Sequence, residues 1–426
     1  MDSLQYLLTL EKFGIKFGLA NIRTICAALG NPQDTFRSVL IAGTNGKGSV
    51  TAMVDRGLRA AGLKVGRYTS PHLIHLEERF AIDGTPIDRA TLERVIEEMR
   101  RTIDTLIAEG KLDAPPTFFE VTTAIAFELF RRAHVEFAVL EVGLGGRLDS
   151  TNCVEPVAAA ITSIAFDHEH YLGHTLAAIA AEKAGVIRKG IPVVLGPLDP
   201  EARESIVSIC QAVGGRIVDA TKEVELASQT DHGRTSLRLK TPAHDYGWIP
   251  LGLRGAHQVP NALVAIRLLE ELSALTPIDA EAIAAGVRDV EWRGRLQLLE
   301  PSPGRHLLLD AAHNPAGAAA LAEYLKREFP EPLPFVFGVM RDKNASDMLR
   351  SLLPVISTLV VTEPSNARAF SAGELAAIAR SIAPTHDVEI EAVPMAALHR
   401  AWERCPLVCA AGSIFLVGDL LAGLES

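Results

Sequence analysis

The chain has 426 residues, 48% of them hydrophobic and 22% charged, and a formal net charge of −10. That length exceeds one ordinary core and predicts two or three domains of a soluble protein. The acidic balance excludes general nucleic-acid binding, which wants a basic face, so an anionic substrate must be met by local cations.

No apolar run approaches the roughly 20 residues of a membrane helix. The N-terminus MDSLQYLLTLEKFGIKFGL lacks the basic start, apolar centre and small-residue cleavage site of a secretory signal, so a cytoplasmic protein is expected. Cys26, Cys153, Cys210, Cys405 and Cys409 are scattered and read as reduced structural thiols.

From Met1 to about Leu29 the pattern is helical, broken at Gly14–Gly18. The apolar run from Val39 to Ala42 then enters a glycine-rich turn, Gly43 to Gly48, with Lys47 and Ser49 at its end. A helix follows, with Val50, Val54, Leu58 and Ala61 on one side. Strand, glycine loop and helix in that order form a phosphate cradle: backbone N–H groups close on phosphate oxygens, Lys47 adds a point charge and the Ser49 hydroxyl can hold Mg²⁺. Ile41 stands where the common pattern has its first glycine, and a ligand-free glycine hairpin is the bland alternative. The flanking strand and helix favour a nucleotide.

Val65 to Tyr68 form a second strand ending at Thr69, Ser70 and Pro71. Functional groups of an open parallel sheet gather at strand carboxyl ends, so Ser70 reaches the Ser49 cleft or is a plain Ser-Pro turn. Ile87 to Ala108 read as a solvated amphipathic helix, and TFFEVTTAIAFELFRRA as an apolar one. Val135 to Val142 form a buried strand carrying Glu141, a costly charge unless an ion pair or a metal meets it. The strand predicted over Val157 to Phe166 ends at Asp167, His168 and His170, which suggests a metal or proton relay, although a lone histidine there is more often a surface residue. Lys183 lies on an Ala- and Ile-rich helix, where a snorkelling surface lysine is the plain reading. Residues 199–246 carry no nameable chemistry, and LRGAHQVPNALVAIRLLEEL gives a loop to Pro260 and a helix from near Asn261.

DVEWRGRLQLLE, with Arg293 and Arg295 around Gly294, marks a boundary between predicted domains 1–290 and 296–426. Beyond it, Asp310 and His313-Asn314-Pro315 follow one strand, and FVFGVMRDKN, STLVVTEPSNARAF and CPLVCAAGSIFLVGDLLAGL add three more. Alternating strands and helices predict an α/β protein with parallel sheets covered on both faces, and a reactive cleft between the domains.

The phrases AGTNGKGS, YTSPHL, EVGLGGRLDSTN, DHEHYLG, EKAGVIR, RGR, DAAHNP and GSIFLVGDL, in that order, resemble folylpolyglutamate synthase, and more fully the bacterial bifunctional form that is also dihydrofolate synthase, within the Mur ligase superfamily. The likeness runs from Ile15 to about Leu420. It implies an N-terminal P-loop ATPase domain and a smaller Rossmann-like C-terminal domain. The reaction implied is ATP-dependent amide formation: the acceptor carboxylate takes the γ-phosphoryl group, and the amine of L-glutamate displaces phosphate from the acyl phosphate. The acceptor would be dihydropteroate or the glutamate tail of a reduced folate, and the protein a monomer.

By the same resemblance, Thr44, Asn45, Gly46, Lys47, Gly48 and Ser49 hold ATP phosphates, with Asn261, Arg295 and Asp310 as further ATP contacts. Ser49, Ser70, Glu141 and His168 would form the shell of two Mg²⁺ ions, and Lys183 matches a lysine carried as an N6-carboxylate. His313 and Ser413 would position glutamate, His313 beside Lys183, His168 and Glu141 in the catalytic set. Lys16, Phe17 and Gly18, then Thr117, Phe118, Phe119 and Glu120, then Leu148, Asp149 and Ser150 would contact the pterin; Ser150 stands where Ala is usual. Two rivals are weighed: a Mur-type enzyme acting on a UDP-sugar peptide, opposed by the P-loop beginning at Gly43, and a nucleotide switch, which leaves Glu141, His168 and Lys183 without a shared purpose.

Overall fold

The computed structural model describes residues 3–14 and 16–425, so Met1, where the predicted N-terminal helical stretch begins, and Ile15 lie outside the described residues. Helices cover Ser3–Thr9 and Ala20–Ala28 on either side of the glycine break.

Strands β1 (Arg37–Ala42), β2 (Val65–Tyr68), β3 (Phe80–Ile82), β4 (Thr85–Pro86), β5 (Phe137–Glu141), β6 (Pro156–Ile161), β7 (Pro192–Leu195) and β8 (Arg216–Asp219) make one sheet in the order β4-β3-β2-β5-β1-β6-β7-β8. All are parallel except β3 and β4, which add an antiparallel edge. Helices lie on both faces, which is why β1 and β5 read as continuous apolar runs rather than alternating ones. The helix predicted over Ile87 to Ala108 is Arg89–Ala108, and it is more than a solvated face: Leu92, Val95, Ile96, Met99, Ile103 and Leu106 are buried.

The stretch without nameable chemistry holds the helix Pro200–Val213, then an antiparallel sheet of β9 (Glu225–Asp231), β10 (Arg234–Lys240) and β11 (Asp245–Pro250). Parallel sheets alone are therefore not the whole of the fold. A third sheet contains β12 (Gln297–Ser302), β13 (Arg305–Leu309), β14 (Leu333–Phe337), β15 (Ile356–Val361), β16 (Asp387–Ile390) and β17 (Leu407–Ala411), in the order β12-β13-β17-β14-β15-β16. It is parallel except for β12.

Two apolar clusters flank the first sheet, and their buried residues extend to Val290. Two more flank the third sheet, starting at Leu296. The interval from 291 to 295 joins the two sets. Leu73 and Ile74, from the loop after β2, pack on the C-terminal cluster and so cross the interface.

Candidate active site

The register of the first sheet builds the site. Ile41 pairs with Glu141 and Ala42 with Ile161, so the loop after β1 emerges between the ends of β5 and β6. The predicted strand to Phe166 stops at Ile161 because the following residues bond to the glycine loop instead. Thr162 Oγ donates to the Asn45 carbonyl at 2.6 Å, and Thr44 N donates to the Ser163 carbonyl at 2.7 Å. A Cβ at Gly43 would lie 1.9 Å from Thr162 Oγ1, and one at Gly46 2.2 Å from Asn261 Oδ1. Both positions have positive φ, so glycine is required there twice over. Helix Lys47–Ala60 then starts with its N-terminus in the cleft, where its unpaired N–H groups and dipole favour an anion.

A cavity of about 430 Å³ lies over this loop. Its walls include every residue from Gly43 to Ser49, with Ser70, Glu141, His168, Lys183, Asn261, Arg295, Asp310 and His313. The sheets of both halves thus contribute to one cleft. Asn261 is held by Gln258, and its helix starts at Gln258 rather than near Asn261, with Pro260 in the first turn, where a missing N–H costs little. Asp310 accepts from Leu296 N at 2.9 Å and Ala312 N at 2.8 Å, which ties the hinge to β13.

The charges here are held far from water. Lys47 Nζ donates to the carbonyls of Gly43 and Thr44, each at 3.1 Å. Burial lowers the Lys47 ammonium from its ordinary value and raises the Glu141 carboxyl, each opposed by the other's charge. Glu141 Oε2 accepts from Ser70 N at 3.2 Å. Lys183 Nζ donates to the Gly43 carbonyl at 2.8 Å, and burial, then Lys47, push its ammonium down to about 7. It is no snorkelling lysine, being 4% exposed. Burial and Lys343 lower both His168 and His313 to about 4, so both imidazoles are neutral at pH 7. The carbonyl of Ala311 accepts from His313 Nδ1 at 2.8 Å, which leaves Nε2 as the basic nitrogen.

A second cavity, about 380 Å³, adjoins the first and shares Ser70, His168 and His313 with it. Lys16, Phe17, Thr117, Phe118, Phe119, Leu148, Asp149, Ser150 and Ser413 line it. Gly18 and Glu120 do not. Glu120 closes a capping box instead, its Oε2 accepting from Thr117 N at 2.7 Å and Thr117 Oγ at 2.9 Å. Asp149 is also occupied, accepting from Leu144 N, Thr151 N and Thr151 Oγ.

Several lining residues escaped the sequence reading. Arg79 lies over the Phe118 ring at 5.0 Å and bonds His72, within the LEERF phrase just after YTSPHL. Lys343 Nζ donates to Asp167 Oδ1 at 2.6 Å and lies 3.1 Å from His168 Nε2; its signal is the MRDKN phrase past the end of β14. Arg368 lines the same cavity. Asn314 lines neither cavity but donates to Asp167 and to Asn45, reaching from the C-terminal half to the glycine loop.

The donors suit a hard cation. Ser49 Oγ is buried with no hydrogen-bond partner, and the same cleft holds the Ser70 hydroxyl, the Glu141 carboxylate and the neutral His168 imidazole. Among the described residues no three His, Cys, Asp or Glu side chains gather as a metal group, so such a cation would keep waters or phosphate oxygens, as Mg²⁺ does.

Comparison with known proteins gives two family matches: the Mur ligase middle domain over residues 41–269 and the Mur ligase glutamate ligase domain over 294–416. The Mycobacterium tuberculosis dihydrofolate synthase/folylpolyglutamate synthase is 39% identical over 376 residues, covering 84% of this chain and 76% of that protein. The chain belongs to the folylpolyglutamate synthase family.

Other relatives include the Bacillus subtilis dihydrofolate synthase/folylpolyglutamate synthase, 37% identical, with 80% of each chain covered. The chain spans about half the length of a Haloferax volcanii relative named a probable bifunctional folylpolyglutamate synthase/dihydropteroate synthase, at 34% identity over 98% of this chain and 50% of that one. Among solved structures, M. tuberculosis folylpolyglutamate synthase complexed with ADP superposes with a TM-score of 0.92 at 32% identity, covering 100% of this chain and 99% of that one. Escherichia coli FolC in complex with DHPP and ADP gives 0.86 at 27% identity, covering 100% and 98%. This family has the two-part α/β architecture seen here. Among the described residues no helix is long and apolar enough to cross a membrane.

Proposed function

We propose that this family member is a cytoplasmic, monomeric ligase that joins L-glutamate to dihydropteroate, to the glutamate tail of reduced folates, or to both, at the expense of ATP. Residues 1–290 are its ATP- and pterin-binding domain and 296–426 its glutamate ligase domain. The observation that carries this reading is the shared wall: Ser70, His168 and His313 border both the glycine-loop cavity and the Phe118/Phe119 cavity, so a triphosphate in one faces a carboxylate in the other.

ATP lies on the 43–49 loop, its phosphates on backbone N–H groups and Lys47, with Asn261, Arg295 and Asp310 around the rest. The acceptor ring stacks on Phe118 and Phe119, and Lys16 and Arg79 neutralise its carboxylates. A carboxylate oxygen of the acceptor attacks the γ-phosphorus and ADP leaves. The amine of L-glutamate then attacks the acyl carbon, phosphate leaves, and the amine proton passes to His313 Nε2. Lys343, Arg368 and Ser413 surround the incoming amino acid.

Ser49, Ser70, Glu141 and His168 would hold two Mg²⁺ ions, which supply the positive charge that lets two anions approach. Lys183 acts as its carbamate. An amine pushed down to about 7 is substantially unprotonated at neutral pH, and its uncharged form adds CO₂ with loss of a proton. The product would be an anion able to help hold the metals, where an ammonium would repel them.

The test is phosphate release with each component omitted in turn. Release requiring ATP, L-glutamate and an acceptor together, with an acceptor product heavier by one glutamyl unit, is expected. A glutamate-independent ATPase would refute the ligase reading.

A further inference from the structure

A third cavity, about 470 Å³, lies behind the Ser70–Pro71 turn and meets the glycine-loop cavity at Gly48, Ser70, Glu141 and Arg295. Arg59, Arg67 and Trp292 in its wall are linked through Asp55, which lies behind them. Asp55, on the helix that begins at Lys47, is fully buried, and its Oδ2 accepts from Arg59 Nε at 3.1 Å and from Arg67 Nη1 at 3.0 Å. Arg67 belongs to β2, three residues before Ser70. Its guanidinium lies over the Trp292 ring, 4.9 Å from the centroid. Trp292 in turn packs directly on the start of the phosphate-binding helix, where a Cβ at Gly48 would come within 3.0 Å of Nε1. Three residues beyond Trp292 stands Arg295, which lines the nucleotide cavity.

These contacts close a ring. The phosphate-binding helix holds Arg67 through Asp55, Arg67 holds Trp292 by its face, and Trp292 returns to the same helix at Gly48. From the ring the chain runs on from Arg67 to Ser70 and from Trp292 to Arg295. Arg295 has no acidic partner of its own within reach of an ion pair among the described contacts; its Nη1 bonds the neighbouring Gly294 carbonyl at 3.3 Å. Its placement therefore depends on where the 291–295 hinge is pinned. Asp310 holds the far end of the hinge at Leu296, and Trp292, trapped between Arg67 and Gly48, holds its near end on the phosphate-binding helix.

We propose that Arg67 and Trp292 are a positioning pair: they fix the hinge on the phosphate-binding helix so that Arg295 meets the bound nucleotide, and they set nucleotide affinity while leaving acceptor affinity alone. Neither residue lines the glycine-loop cavity or the Phe118/Phe119 cavity. This inference rests on the glycine loop binding a nucleotide. Trp292 also becomes a reporter, since a phosphate group on the loop lies beside the residue its indole packs against. The other tryptophans are elsewhere, Trp248 half-exposed on β11 and Trp402 buried in the C-terminal half.

The experiment measures ADP binding by calorimetry, and separately the KM for ATP and for the acceptor, in the wild type and in W292L, W292F, R67M and R67K. R67M leaves Asp55 paired with Arg59, so the helix keeps a partner for its buried carboxylate. W292L and R67M are expected to weaken ADP binding about three- to tenfold, the range of a desolvated cation–π contact. The KM for ATP should rise in step, with the acceptor KM within twofold of wild type. W292F, which keeps an aromatic face under Arg67, should restore most of the loss, and R67K less of it. ADP should change the emission of the wild type and leave W292F unchanged. If W292L binds ADP as tightly as the wild type, or if both KM values and the melting temperature shift together, the positioning role is overturned. A wild type that does not bind ADP at all would overturn the nucleotide reading and this proposal with it.

Discussion

The side-chain amides of Asn45 and Asn314 bond each other in both directions, Asn45 Nδ2 to Asn314 Oδ1 at 3.3 Å and Asn314 Nδ2 to Asn45 Oδ1 at 2.9 Å. One amide belongs to the glycine loop and the other caps the helix Pro315–Glu328 of the C-terminal half. The glycine loop is therefore in direct contact with the C-terminal half. N314S keeps a capping oxygen but cannot span to Asn45. It should cost about 1–3 kcal/mol of stability, because the cap is kept while Asn45 and the Asp167 carboxylate each lose a donor. Turnover should fall far more than ADP affinity does. Thermal melts, ADP binding and steady-state kinetics on the same preparation check this, and parallel losses in all three would refute the coupling.

Lys47 is the only lysine of the glycine loop, and its ammonium donates to the Gly43 and Thr44 carbonyls. K47A should lower kcat by about 10²–10³, the usual loss for one group that stabilises developing charge. Near-normal turnover would remove the nucleotide from this loop.

Lys183 provides a pH signature. Its ammonium is lowered to about 7 by burial and by Lys47. The reactive neutral amine therefore dominates above pH 7 and is lost as pH falls below it. Bicarbonate-dependent activation should be full near pH 8 and weak near pH 6. K183A should be crippled and partly rescued by small carboxylates. Mass spectrometry under native conditions should find the added CO₂; a bare amine in fully active enzyme would contradict the carbamate.

Arg295 and Lys343 allow the two ends of the proposed reaction to be tested separately. R295A should raise the KM for ATP more than that for the acceptor, and the reverse would misplace the hinge. K343M should raise the KM for L-glutamate. It should also destabilise the fold, by about 3–5 kcal/mol, because it leaves the buried Asp167 carboxylate without its nearest cation. K343R should recover stability without recovering glutamate affinity. Equal recovery of both would leave Lys343 with a structural role alone.

What could be read from the chain divides along physical lines. The glycine loop, β1, β5 and the helix from Lys47 were legible because their signals are local: apolar runs, glycines at tight approaches and a helix start. The β9–β11 sheet was not, since β9 is almost wholly exposed and carries no apolar alternation. The end of β6 was overrun because residues 162–165 are apolar enough for a strand, yet their hydrogen bonds go to the glycine loop. The resemblance implies a pterin contact at Glu120, while the S/T-x-x-E spacing from Thr117 identifies the capping box that its carboxylate closes. Lys343 had no local signal for its partner, because Asp167 is 176 residues away and only the folded interface brings them together.

The central claim is that the acceptor's own carboxylate takes the γ-phosphoryl group between Ser70 and the Lys47 loop. Turnover with acceptor labelled with ¹⁸O in that carboxylate tests it most directly. One labelled oxygen should appear in the phosphate released, with the other retained in the new amide. Unlabelled phosphate from labelled acceptor, at full yield of the glutamylated product, would contradict the acyl-phosphate route.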